Sequence, residues 1–142
     1  MSVWHDDRSS GARMSVIRAS QVVCVDARMV RGVPHGIGQY VYGLAKGMRE
    51  LHALRALPYE LIFLGDPDRS EREIEGWPII PSRYRFLSSP EILGVPHEVK
   101  MLGASLFVNP SFASFLGMRC PWIQVVHDLN HLHFGGQSKR LY

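Results

Sequence analysis

Apolar positions along this chain fall into short unbroken runs, separated by stretches in which they recur every three or four residues. Val22, Val23, Cys24 and Val25 form one such run before Asp26-Ala27-Arg28. A run without alternation fits a strand covered on both faces, as in a parallel sheet. After Gly36, apolar residues follow at Ile37, Tyr40, Val41, Leu44, Ala45, Met48 and Leu51, the stripe of an amphipathic helix. Tyr59 to Leu64 reads as a second strand, closed by the turn residues Gly65-Asp66-Pro67. A charged, irregular stretch then runs to Pro81, and the weak alternation of Arg83 to Leu87 predicts a third strand. Ser88 or Ser89, ahead of Pro90 and Glu91, marks a helix start; Pro96 is expected to open a second helical piece, His97 to Leu102, stopped by Gly103. Leu106 to Val108 and Trp122 to Val126 are further apolar runs, the first broken by Asn109-Pro110 and the second delivering His127-Asp128. Ser138 to Tyr142 reads as the opening of a helix.

Strands alternating with helical patterns, with no hairpin signal between them, predict a doubly wound α/β domain around a parallel sheet. In such sheets ligands bind beyond the carboxyl ends of the strands. The ends of the first and last strands, Asp26 and His127, are expected on that one rim. The length of 142 residues suits a single domain. Residues 1–20 lack periodicity and are read as a leader or disordered segment, with Met14 an alternative start, so the domain spans 21–142.

Charge removes several function classes. The net charge is only +3, from 16 Lys and Arg against 13 Asp and Glu, and Arg69 and Arg72 are interleaved with Asp66, Asp68, Glu71, Glu73 and Glu75. A nucleic-acid surface would concentrate cations on one face. Cys24 and Cys120 lie far apart, which argues against a zinc ribbon or a redox pair. No stretch reaches the ~20 apolar residues of a membrane helix, and Met1 to Arg13 lacks the apolar centre of a secretory signal. A cytoplasmic location is therefore expected, with a peripheral position at the inner membrane face as its variant.

Two constellations carry chemistry. Glycine at 36 and 38 opens a helix, where free N–H groups and the positive dipole end suit a phosphate, although a plain structural turn has the same pattern. His127-Asp128 ends an apolar strand, so the pair is either internally satisfied or functional. A metal site from His127, Asp128, His131 and His133 is disfavoured, because His127 and His131 share a face only on a helix and His131 and His133 only on a strand. No Gly-x-Ser-x-Gly occurs and Cys120 has no evident base, which argues against a nucleophilic triad.

Two blocks in order, VCVDARMVRGVPHGIGQYVYGLAKGM (23–48) and WIQVVHDLNHLHFGGQSKRLY (122–142), resemble the amino-terminal domain of glycosyltransferase family 4, the retaining glycosyltransferases of GT-B fold. In that family a strand ending Asp-Ala-Arg leads to a Gly-Ile-Gly-Arg-Tyr helix start, and a later strand ends His-Asp-Leu. Leu106 to Ser111 matches the segment before that strand. The resemblance implies a Rossmann-like acceptor-side lobe facing a donor-side lobe. Gly36, Ile37, Gly38 and Gln39 would approach the diphosphate of a nucleotide-sugar co-substrate, His127 would contact the transferred sugar, and Asp128 would support it. No metal or other cofactor is implied. Gln39 stands where the family commonly has Arg, and His35 where a further Gly is frequent.

The resemblance also implies that the rest of this lobe and the donor lobe lie beyond Tyr142, supplied in cis or in trans. The expected function is transfer of a sugar to a glycan, lipid-linked or protein acceptor by the completed enzyme, with the chain alone inactive. The alternative is a stand-alone module that binds an acceptor or a partner. In the usual strand order, 122–126 is an apolar edge, which predicts a dimer through that strand.

Overall fold

The computed structural model describes residues 21–30, 36–54, 57–66, 74 and 76–127. Among these residues seven elements follow in chain order: β1 (Gln21–Asp26), α1 (Gly36–Ala53), β2 (Tyr59–Gly65), β3 (Ile79–Pro81), α2 (Glu91–Met101), β4 (Leu106–Asn109) and β5 (Trp122–Gln124). The strands form one sheet in the order β3-β2-β1-β4-β5. Every neighbouring pair is parallel, with Val25 beside Phe63 and Val108, and Val108 beside Ile123. This is an α/β fold of Rossmann-like strand order, whose direction of winding reverses between β1 and β4.

Alternation along the buried strands builds two cores. Val23, Val25, Leu61 and Phe63 face one side and pack with Val41 and Ala45 of α1. Cys24, Leu64 and Phe107 face the other and pack with Val95 and Val99 of α2. The period of two sends successive side chains to opposite faces, which is why an unbroken apolar run served both layers. Phe63 and Phe107 are fully buried.

Two expectations about the middle of the chain are corrected. Residues 83–87 do not form the third strand; they lie in turns, and β3 is the shorter Ile79–Pro81 segment. The backbone of Tyr84 bonds to side chains instead of a ladder: its N–H donates to Ser82 Oγ at 3.2 Å, and its carbonyl accepts from Arg28 Nη1 at 3.3 Å. Leu87 ends the stretch with φ 59°, which no strand contains. Pro96 does not open a separate helix either, since α2 runs through it from Glu91 to Met101. A proline inside a helix leaves the carbonyl four residues back without its partner. Here that carbonyl, on Ile92, accepts instead from the N–H of Leu116 at 2.9 Å.

Gly103 stops α2 as expected. At φ +65° it donates to the Lys100 carbonyl at 3.0 Å, while Ala104 N–H reaches Val99 O at 3.3 Å, the paired bonds of a Schellman end. The strand at Trp122 lies at the sheet edge, as expected, but it ends at Gln124 and not at Val126, so His127 follows three residues beyond it, and all three strand residues are exposed. The segment 1–20 and the helix opening at 138–142 lie outside the described residues. Among the described residues, no helix is long and apolar enough to cross a membrane.

Candidate functional site

The carboxyl rim of the sheet gathers polar residues from the ends of β1, β4 and β5 and from the start of α2. At the end of β1, Asp26 is fully buried and Arg28 nearly so. The Asp26 carboxylate accepts from Arg28 Nε at 2.9 Å and Nη2 at 2.7 Å, a two-pronged pair, and from the Arg28 backbone N–H at 3.0 Å. Arg28 Nη1 lies 2.8 Å from Oε2 of buried Glu91, in the first turn of α2, without hydrogen-bond alignment. The contact is an ion pair buried on both sides. The guanidinium also lies 5.9 Å from the centre of the Phe115 ring, within cation–π range.

The electrostatics follow from this packing. Burial disfavours the charged form of Arg28, but the hydrogen bonds and charge of Asp26, with Glu91 behind them, more than offset it and raise the arginine above its usual value. Burial raises the Glu91 carboxyl, and Arg28 offsets this only in part. The Asp-Ala-Arg signature therefore forms an internal brace tying β1 to α2, not a pair of solvent-facing catalytic groups. Burial likewise pushes up the Cys24 and Cys120 thiols, both free.

At the reversal point, the end of β4 is closed by its own side chains. Asn109 donates from Nδ2 to the Ala113 carbonyl at 2.6 Å, and its Oδ1 accepts from Ser111 Oγ at 2.9 Å. This buried turn fixes the Pro110 carbonyl, which accepts from His127 Nε2 at 2.9 Å. A carbonyl oxygen only accepts, so Nε2 carries the proton and neutral His127 has Nδ1 left as its acceptor. The imidazole also meets the Tyr40 ring edge to face, with centroids 5.3 Å apart.

The Tyr40 contact brings two predicted sites together. Tyr40 sits one residue beyond Gly36, Ile37, Gly38 and Gln39, so the start of α1 and His127 meet on one rim although far apart in sequence. Gly36 and Gln39 are exposed, Ile37 packs on the first core, and Gly38 is buried. A Cβ at Gly36 or Gly38 would meet nothing within 4 Å. The first turn of α1 has no acidic side chain, so the positive helix end is not neutralised from within that turn.

Asp128, the other predicted member of the site, lies outside the described residues, as do His131 and His133. Among the described residues, no group of three His, Cys, Asp or Glu could hold a metal. Glu91 and Asn109 were missed as rim residues from the sequence. Glu91 carried the signal of an ordinary helix N-terminus and Asn109 that of a strand breaker; their burial depends on elements distant in sequence. Comparison with models of protein families, with curated proteins and with solved structures found no match.

Proposed function

We propose that this chain is the acceptor-side lobe of a retaining glycosyltransferase of GT-B fold, resembling family 4 and acting with a donor-side lobe. The supporting observation is the Tyr40–His127 contact, which places an anion-friendly helix start beside a histidine with one acceptor nitrogen left. The N–H groups at the start of α1 and its positive end would meet the donor diphosphate. His127, oriented by the Pro110 carbonyl, would accept from a sugar hydroxyl through Nδ1 when neutral, or donate to it when protonated. Departure of the diphosphate and the cationic sugar centre both need stabilising, and a second lobe would enclose them. Gln39 lends a neutral amide at the diphosphate, weaker there than a guanidinium.

The test joins the chain to a donor-side lobe of family 4 and follows nucleoside diphosphate release from UDP- and GDP-sugars with acceptor present. Transfer that falls about a hundred-fold in His127→Ala, the lower end of the effect of one positioned polar group, is the expected result. Transfer unchanged by that substitution would remove His127 from the site. The second reading, a binding module without catalysis, is favoured if glycan binds the chain and no lobe restores transfer.

A further inference from the structure

An opening lies on the same rim, over the ends of β1, β2 and β3. It is a cavity of about 280 Å³ whose wall includes Arg28, Asp66, Ser82, Arg83, Tyr84 and Arg85. That volume is at the small end of ligand pockets. The loop carrying Ser82 to Arg85 is braced on three sides. Ser82 N–H donates to the Gly65 carbonyl at 2.9 Å, tying the loop to β2. Glu98 of α2 accepts from Ser82 Oγ and from the Arg83 backbone N–H, both at 2.8 Å. The Tyr84 carbonyl accepts from Arg28, and its ring lies where a Cβ on Gly94 of α2 would have to be.

This bracing engages the carboxylates and leaves the cations. Glu98 is occupied by the loop, while Asp26 and Glu91 face Arg28. The guanidinium groups of Arg83 and Arg85, exposed and two residues apart on a fixed backbone, have no ion-pair partner among the described residues. Two planar five-donor groups at one small cavity match an oxyanion, which each can grip in a two-pronged fashion. Asp66 on the same wall has a partner of its own. A neighbouring cavity, about 320 Å³ and lined in part by Leu64, Ile80, Met101 and Leu102, shares Pro81, Arg83 and Tyr84 with this one.

We infer that the cleft between the ends of β1–β3 and the 82–85 loop binds an oxyanion, a phosphate or carboxylate group, through Arg83 and Arg85. Only the further step of taking this group as part of the sugar acceptor rests on the transferase reading. Binding itself needs neither donor nor turnover, so failure of transfer leaves the site standing, and failure of binding leaves the transferase proposal standing.

The experiment is a titration of the full chain followed by amide chemical shifts. The probes are inorganic phosphate, glucose 6-phosphate, glucuronate and dodecyl phosphate, with glucose as the uncharged control. Saturable shifts of the 82–85 amides with an anionic probe are expected, with affinity reduced about ten-fold by Arg83→Gln or Arg85→Gln, as for loss of one charge-assisted contact. Both positions are exposed, and unchanged circular dichroism checks that the variants fold. Tightest binding of inorganic phosphate identifies a free-ion site, of glucose 6-phosphate or glucuronate a sugar-borne anion, and of dodecyl phosphate a lipid headgroup. Absence of saturable shifts with every anionic probe, equal binding of glucose, or less than two-fold weakening in the double variant would overturn the inference.

Discussion

Removing the guanidinium of Arg28 tests the brace at the rim most directly. Arg28→Ala deletes the two-pronged pair with Asp26, the bond to the Tyr84 carbonyl and the facing charge of Glu91. Each charge-assisted bond stabilises by roughly 1.5–3 kcal/mol in mutational series, but such terms do not add within one network. What decides the magnitude is that two buried carboxylates are left without a cation. Breaking a buried pair from one side costs about 3–5 kcal/mol, a large share of the roughly 5–15 kcal/mol that holds a domain together.

The loss has a pH signature with a definite sign. Without Arg28, the burial and the facing Asp26 charge that already raise the Glu91 carboxyl act unopposed in the folded state. Stability is then retained at low pH, where Glu91 is protonated, and lost as pH rises through its raised value. Urea unfolding of the wild type and Arg28→Ala at acid and neutral pH is the assay, and the gap between them should widen toward neutrality. The triple variant Asp26→Asn, Arg28→Met, Glu91→Gln should recover most of the loss, because a neutral cluster leaves no charge stranded. A cost of Arg28→Ala below about 1 kcal/mol, or a deficit that shrinks with rising pH, would refute this account of the brace.

Further outcomes follow from single residues. Glu91→Gln should flatten the wild-type pH profile of stability: burial raises the Glu91 carboxyl, so its contribution is complete below the ordinary glutamate range and falls as pH rises through the raised value, readable by thermal unfolding at several pH values. Leu87→Gly should stabilise by up to about 1 kcal/mol in urea unfolding, because φ 59° is strained for leucine and open to glycine. Cys24 should resist a thiol reagent in the native state and react on unfolding, since its side chain is fully buried and its thiol pushed up; rapid native labelling at Cys24 would contradict its packing. Phe107→Ala should cost about 3–5 kcal/mol, the usual loss for a fully buried phenylalanine, measured by the shift of the unfolding midpoint.

The amino-acid pattern by itself determined the α/β class, β1, α1, β2, β4 and the start of β5, and the glycine end of α2. These features depend on near neighbours: an unbroken apolar run, a three-and-four stripe, or a turn residue is complete within one window of chain. It also indicated that Asp26 and His127 belong to one rim, because parallel strands all end on the same side. Tertiary structure alone decided the rest. Ile79 and Ile80, close between Pro78 and Pro81, become a strand only because Phe63 and Leu64 stand beside them. Pro96 stays inside α2 because Leu116, from a later loop, supplies the missing donor. Asp26, Arg28 and Glu91 read singly as polar residues at element ends, and become a buried brace when β1 and α2 pack. The tautomer of His127 is likewise set by a carbonyl on another strand's end. In each case the deciding partner is remote in the chain, and burial changes the energy of a polar group or a proline only once that partner has arrived.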